Sequence, residues 1–278
     1  MEEISFALPR AGITLHGKRS AGGRGLPVLC LHGILDNCAS FDALARCLPE
    51  VDVIAVDLPG HGRSDPIPSA TCHYLDYAAC VLELAHTQGW DRFRLIGHSL
   101  GGAVSSLVAG IHPDKIDRLV LIDAIGPLSA EPDRAVAGLA RYLDTYLRGD
   151  RHPVYRSRTH AVKTRVQLAD ILLETAETLV ERDLVEVADG YSWRHDVRLS
   201  RGMTPSMGEE QVLAFLRNIT APTLLVRAER TALVESYYPT RIDTVPKLRE
   251  VTLPGGHHLH MENVEAVAEV VAGFLEAG

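Results

Sequence analysis

Residues 93–102 read FRLIGHSLGG, and this stretch decides how the rest of the chain is interpreted. Phe93 to Ile96 is an apolar, strand-like run, a helical period starts at Gly101, and the turn between them has the pattern G-x-S-x-G around Ser99. Glycines are needed two places either side of the serine, because side chains there would collide with the adjoining strand and helix. The stretch predicts a strand–turn–helix that presents Ser99 as a nucleophile, with an ordinary helix N-cap as the alternative.

Short apolar runs alternate with amphipathic segments on both sides of this turn. The strand-like runs, several of them apolar on both faces, are Val28 to Leu31, Val51 to Val56, Phe93 to Ile96, Leu119 to Ile122, Thr223 to Val226 and Leu248 to Leu253. The helical periods are Phe41 to Leu48, His73 to Thr87, Gly101 to Ile111 and Val264 to Leu275. Strands buried on both faces form parallel sheets covered by helices, so the predicted class is α/β with a mostly parallel central sheet. Two alternating runs, Ile4 to Leu8 and Gly12 to Lys18, predict an antiparallel hairpin at one edge.

The strand rhythm lapses between Ile122 and Thr223. Helical patterns take its place at Arg134 to Leu147, Val162 to Leu179 and Glu209 to Leu216. We therefore predict a core of residues 1–126 and 209–278 with an inserted helical cap at 127–208. The apolar stripes of the cap indicate packing, or else one wall of a substrate pocket. Its basic run from Arg148 to Arg165 indicates a solvated face, with contact to an acidic substrate or an anionic surface as the alternative.

Composition limits the partners. The 278 residues hold 28 Lys and Arg against 36 Asp and Glu, a net charge of −8, which disfavours nucleic acid and anionic membranes. Although 46% of the residues are hydrophobic, no 18-residue apolar run is present, so no membrane span is predicted. The start, MEEISFALPR, has acidic residues where a secretory peptide has basic ones, so we expect a cytoplasmic protein.

A serine is a weak nucleophile at neutral pH and needs a histidine to accept its proton. Residues 254–260, PGGHHLH, follow the last strand and can overhang the sheet edge where Ser99 lies. His257, directly after the glycine pair, is the predicted base, and His258 is the alternative. A metal site at His257, His258 and His260 is a rival interpretation, but no Cys, Asp or Glu pattern nearby completes a ligand set. No metal and no organic cofactor is predicted.

Attack on an ester creates an oxyanion, which backbone N–H donors stabilise. Leu100, the residue after the nucleophile, offers one such amide. The second is expected from Ile34, in the loop HGILDN at 32–37 that follows the strand Val28 to Leu31. Together these residues indicate acyl transfer.

Five motifs give the chain a resemblance to the α/β-hydrolase superfamily, and within it to the serine hydrolase-like proteins. They are HGILDNCASFDALARCLP at 32–49, VDLPGHGRS at 56–64, LIGHSLGG at 95–102, LVLIDAIGP at 119–127 and PGGHHLHMEN at 254–263. The resemblance spans nearly the whole chain and is weakest in the cap. It implies an α/β-hydrolase fold, with Ser99 as nucleophile, His257 as base, and Ile34 and Leu100 as oxyanion donors.

One position departs from the superfamily pattern. The triad acid commonly follows the penultimate strand, where this chain has Thr231. A threonine cannot stabilise the imidazolium charge that develops during attack. Asp123, which ends the strand Leu119 to Ile122, is the predicted acid. Glu229, two residues before Thr231, and the absence of a working acid are the alternatives.

The predicted function is that of a serine hydrolase, carboxylesterase-like, which cleaves a small to medium carboxylic ester through an acyl-enzyme intermediate. Its expected partner is a small-molecule ester. Hydrolysis of a C–C bond or a thioester by the same residues is one alternative. A non-catalytic ligand-binding protein, which Thr231 would suit, is the other.

Overall fold

An eight-stranded sheet forms the centre of the protein, seen in a computed structural model that describes residues 1–21, 23–149, 151–169, 171–201, 207–231 and 238–276. The strands of the chain are β1 (Glu2–Leu8), β2 (Ile13–Arg19), β3 (Arg24–Leu31), β4 (Val51–Val56), β5 (Phe93–His98), β6 (Ile116–Ile122), β7 (Leu184–Val187), β8 (Gly190–Trp193), β9 (Thr223–Ala228) and β10 (Leu248–Leu253). The sheet has the order β1-β2-β4-β3-β5-β6-β9-β10, while β7 and β8 pair separately. The strands from β4 to β10 in this order pair in parallel, and β1 and β2 form an antiparallel hairpin at the edge, as predicted.

Helices cover both faces of this sheet. The helices are α1 (Asp42–Arg46), α2 (Tyr74–Thr87), α3 (Leu100–Ile111), α4 (Pro132–Arg148), α5 (Arg158–Ala169), α6 (Leu173–Asp183), α7 (Glu209–Arg217), α8 (Tyr238–Thr244), α9 (Leu259–Glu262) and α10 (Val264–Glu276). Alternate strand residues enter two separate cores: Leu29 packs with α2, α3 and α7, whereas Val28 packs with α1 and α10. Side chains of a strand point alternately to opposite faces, so the central strands are buried on both. The continuous apolar runs in the sequence have this cause, and the predicted α/β class is confirmed.

The segment between β6 and α7 contains α4, α5, α6 and the hairpin of β7 and β8. We predicted one helical pattern from Val162 to Leu179, and this is wrong: α5 ends at Ala169 and α6 begins at Leu173. Val162 and Leu179 lie in one buried cluster, although a continuous helix would separate them by about 25 Å. The two helices fold against each other, and apolar side chains of both are buried in this cluster. The division into a core and a cap at 127–208 stays a prediction, and residues 150, 170 and 202–206 of that span lie outside the described part of the chain.

A buried ion pair fixes α6 to the core. The Arg182 guanidinium donates from Nε to Asp57 Oδ2 at 2.8 Å and from Nη1 to Glu3 Oε1 at 2.7 Å. Arg182 and Asp57 are both buried. Asp57 follows β4 and also accepts hydrogen bonds from the amides of Cys38 and Arg63. One carboxylate therefore holds α6 and two loops of the core together.

Within the described residues, no helix combines the length and the apolar character that a membrane crossing requires.

Candidate active site

Ser99 lies at the sharp turn between β5 and α3. Its backbone has φ +49° and ψ −113°, a conformation that non-glycine residues rarely adopt, and its side chain forms no capping hydrogen bond with the helix. A Cβ on Gly97 would lie 2.4 Å from the Gly101 oxygen, and a Cβ on Gly101 would lie 1.9 Å from the Leu31 oxygen. The steric role predicted for both glycines is confirmed, and the Ser99 hydroxyl is left free of a capping role.

Asp123 and His257 meet at the carboxyl ends of β6 and β10. His257 Nδ1 donates to Asp123 Oδ2 over 2.6 Å, and the other carboxylate oxygen accepts from the Ala228 amide at 3.1 Å. Asp123 is fully buried, whereas 22% of the His257 side chain is exposed. Because Nδ1 carries the proton of this hydrogen bond, Nε2 of a neutral His257 has the free lone pair that a general base requires. The structure gives no hydrogen bond between His257 and the Ser99 hydroxyl.

Thr231 occupies the position where an acid is common in the superfamily, and it supports Asp123 instead. Its Oγ1 donates to Asp123 Oδ2 over 2.9 Å. Glu229 is exposed, and its described hydrogen bond is one from its own amide to the Leu253 oxygen. His258, the alternative base, is buried with its ring directed at Asp36. The geometry thus brings Asp123, and not Glu229, to His257.

The two predicted oxyanion donors, Ile34 and Leu100, have free amides. Leu100 is the first residue of α3, where a helix has no internal acceptor for its N–H groups. Ile34 lies in a turn closed by a 3.2 Å hydrogen bond from the Asp36 amide to the Gly33 oxygen, and its own amide has no acceptor among the described hydrogen bonds. In the same turn Leu35 has φ +60°. Leu35, Ser99 and Asp123 are the three non-glycine residues with positive φ in the described chain.

A buried cluster that the sequence did not reveal lies below these loops. Asp36, His98 and His258 have ligating atoms within 4.8 Å of one another and could hold a metal ion. Arg165 of α5 already donates to Asp36 Oδ1 over 2.6 Å, so a guanidinium supplies positive charge to this carboxylate. His258 Nε2 lies 3.2 Å from Asp36 Oδ2. Burial alone would raise the pKa of the Asp36 carboxyl, but His258, His98 and Arg165 outweigh it and hold that pKa well below its ordinary value.

Histidines dominate the same cluster. The ring centroids of His98 and His260 lie 4.2 Å apart, and those of His98 and His257 lie 4.7 Å apart. Burial lowers the pKa of His98 to about 4 and the pKa of His260 well below its ordinary value. Both side chains are therefore neutral at physiological pH. The expectation that the basic run up to Arg165 forms a solvated face is wrong at Arg165, whose side chain is only 13% exposed.

A cavity of about 280 Å³ lies beside the oxyanion turn. Leu35 forms one side of it, Leu168 and Leu179 of α5 and α6 form another, and Trp193 of β8 a third. Arg165 also reaches its wall. The stripe predicted on the first helix of the inserted segment is different: Leu143 and other apolar side chains of α4 are exposed. Of the two predicted stripes, the one on α5 and α6 lines this cavity.

Comparison with known proteins gives consistent matches along the chain. A family model described as alpha/beta hydrolase fold matches residues 27–264. A curated serine hydrolase-like protein of Danio rerio is 30% identical over 98% of this chain and 88% of its own length. A solved structure of a hypothetical protein from Pseudomonas aeruginosa is 38% identical, covers 100% of both chains and has a TM-score of 0.91. The thioesterase domain from the curacin biosynthetic pathway is 27% identical, covers 98% of each chain and has a TM-score of 0.85.

Proposed function

Because this chain belongs to the alpha/beta hydrolase family, and within it to the serine hydrolase-like proteins, we propose that it hydrolyses a small to medium carboxylic ester through an acyl-enzyme on Ser99. The observation that carries the proposal is the 2.6 Å hydrogen bond between His257 and Asp123, because Asp123 follows β6, the strand that pairs with β5 and its Ser99 turn. This arrangement is the one that activates a serine hydroxyl.

The proposed reaction has two similar halves. His257 Nε2 accepts the proton of Ser99 Oγ as that oxygen attacks the ester carbonyl, and the amides of Ile34 and Leu100 stabilise the resulting oxyanion. Asp123 stabilises the imidazolium, which then donates its proton to the departing alcohol. A water molecule, deprotonated by His257, attacks the acyl-enzyme; as the second oxyanion collapses, His257 returns that proton to Ser99 Oγ, and the carboxylic acid is released.

The cavity beside the oxyanion turn suits the acyl group of such a substrate. Its lining combines apolar side chains such as Leu35, Leu179 and Trp193 with the polar ones of Arg165, Asp183 and His195, and it begins one residue from the proposed donor Ile34. About 280 Å³ is just below the usual range for ligand pockets, about 300 to 1,000 Å³, which favours a small to medium acyl chain. We also propose that the protein acts in the cytoplasm, on a small molecule and not on nucleic acid.

Thioester hydrolysis is the second candidate function, because the curacin thioesterase domain matches almost the whole chain. The same residues would act on a thioester, since it also passes through a tetrahedral oxyanion. Matched oxygen esters and thioesters with one acyl group distinguish the two: the preferred substrate is the one with the higher kcat/KM.

The test of the proposed function is Ser99→Ala against a matched control, Ser105→Ala, which removes a buried hydroxyl from the same helix α3. We expect wild type and Ser105→Ala to react with a fluorophosphonate probe and to hydrolyse p-nitrophenyl esters. Ser99→Ala should do neither, with a fall in kcat of about 10⁶-fold. A wild type that binds esters but neither turns them over nor reacts with the probe would favour a non-catalytic binding protein.

A further inference from the structure

Asp36 lies where the three loops of the proposed site meet. Its own amide closes the turn that holds Ile34, through the 3.2 Å hydrogen bond to the Gly33 oxygen. Its carboxylate faces His258 at 3.2 Å and approaches His98 Nδ1 at 3.6 Å. From a single buried side chain, these contacts reach three loops: the oxyanion turn at 32–37, the histidine loop at 254–260 and the nucleophile turn at Ser99.

Each contact is made next to a residue of the proposed reaction. His98 directly precedes Ser99, and His258 directly follows His257. His98 also donates from Nε2 to the backbone oxygen of His257 over 2.9 Å, which joins the nucleophile turn to the histidine loop. Asp36 is therefore linked to Ser99 and to His257 through one intervening residue each.

The cluster has little room to rearrange. A Cβ on Gly33 would lie 2.8 Å from Asp36 Oδ2 and 3.0 Å from His98 Nδ1, so the turn backbone packs directly on both side chains. A close-packed buried group transmits strain rather than absorbing it. A well-packed apolar side chain would fill the same space, but it could not accept the hydrogen bond that orients the His258 ring.

Arg165 extends this network to α5. Its Nη2 donates to Asp36 Oδ1 over 2.6 Å, and its side chain also lines the cavity beside the oxyanion turn. The carboxylate remains charged, because the guanidinium and the imidazoles outweigh the effect of burial on its pKa. Asp36 thus has a stable negative charge between the helix that lines the cavity and the loops that carry the proposed chemistry.

We propose that Asp36 is a positioning residue for hydrolysis: its buried carboxylate holds His258, and with it the His257 loop, in register with the oxyanion turn and the nucleophile turn, while Arg165 ties α5 to the same point. This inference rests on the proposed function. Asp36 does not exchange protons with the substrate. It acts through the geometry of Ser99, His257 and Ile34, and a misplacement of about 1 Å in such a site costs about 10²-fold in rate.

The experiment compares Asp36→Asn with Asp52→Asn. Asp52 is also a buried aspartate in an ion pair, with Arg19, but it lies near the start of β4, away from the carboxyl ends of the strands. Asp36→Asn should lower kcat for a p-nitrophenyl ester about 10²-fold and change KM less than about threefold. It should also shift or broaden the downfield proton resonance of the His257 Nδ1–H, which is identified by its loss in Asp123→Asn. Asp52→Asn should change neither.

A second pair of variants tests the same link without removing the buried charge. His258→Gln keeps an N–H donor for Asp36 and should retain most of the wild-type kcat, whereas His258→Phe should lose about as much as Asp36→Asn. This pair decides the matter if Asp36→Asn fails to fold. A merely structural role would affect thermal stability in both His258 variants and would leave kcat of the folded fraction unchanged.

Several results would overturn the proposal. They are a kcat of Asp36→Asn close to wild type, an equal loss in Asp52→Asn, or an unchanged His257 resonance. About one zinc ion per purified chain, absent from Asp36→Asn, would instead make Asp36 a metal ligand. The two proposals can fail separately. If wild type does not react with the fluorophosphonate probe, the proposed hydrolase function fails. A His257 resonance that changes in Asp36→Asn but not in Asp52→Asn would still support the positioning of His257.

Discussion

His98 should make a measurable part of the protein's stability depend on pH. It is fully buried, and burial lowers its pKa from 6.5 to about 4. Asp36, His257, His258 and His260 surround it. Because the unfolded chain binds this proton more readily than the folded chain, the contribution of His98 is complete above about pH 6.5 and is lost as the pH falls towards 4.

The size of this effect follows from the two pKa values. Between pH 7 and pH 5, His98 accounts for about 2 kcal/mol of the loss in unfolding free energy. The assay is urea denaturation at pH 7 and pH 5, followed by circular dichroism, for wild type and His98→Gln. Glutamine keeps an N–H donor for the His257 oxygen but does not titrate. The variant should therefore lose about 2 kcal/mol less than wild type over this interval.

The comparison depends on the change with pH and not on the absolute stability, which the substitution itself alters. His86→Gln is the control, because His86 is exposed at the end of α2. It should leave the difference between pH 7 and pH 5 as in wild type. If His98→Gln and wild type lose the same free energy over the interval, His98 binds a proton as readily in the folded protein as in the unfolded chain, and the reasoning from its burial is refuted.

Three further predictions concern the acid, the buried ion pair and the glycine after the nucleophile turn. In ester hydrolysis assays, Asp123→Asn should lower kcat by about 10² to 10⁴-fold, and Glu229→Gln should stay near wild type; the reverse pattern would move the acid to Glu229. Arg182→Met should lower the urea-unfolding free energy by about 3–5 kcal/mol, because it leaves a buried carboxylate without its cation, whereas the exposed Arg158→Met should cost less than about 1 kcal/mol. Gly101→Ala should destabilise the fold by about 3 kcal/mol or more in thermal denaturation, because its Cβ would lie 1.9 Å from a backbone oxygen of β3; a wild-type melting temperature would contradict the steric argument.

The features that depend on residues close together in the sequence could be predicted from it. Strands buried on both faces have continuous apolar runs, so the central strands and their helices could be placed from periodicity alone. The turn around Ser99 was predictable because its glycines are required by contacts within a few residues and with the adjacent strand. Asp123 could be proposed because it ends a strand at the same sheet edge.

Contacts between distant parts of the chain were not predictable. Asp36, His98 and Arg165 are separated by more than 60 residues from one another and meet only once the sheet and α5 are in place. The break between α5 and α6 was missed because the apolar period continues across it. The hairpin of β7 and β8 was missed too, although its Asp189-Gly190 dipeptide is a recognised turn signal that could have found it.

The buried pair of Arg182 and Asp57 has a consequence for how the molecule opens. If α6 moved away from the sheet as a rigid flap, the ion pair would break. The two charges would then be left unpaired, either in the apolar interior or in water, and separating them costs several kcal/mol. Thermal fluctuations will therefore seldom detach this helix while the rest stays folded. In the proposed reaction, substrate therefore enters through smaller movements of side chains and loops, and heating should melt α6 together with the central sheet in a single cooperative transition.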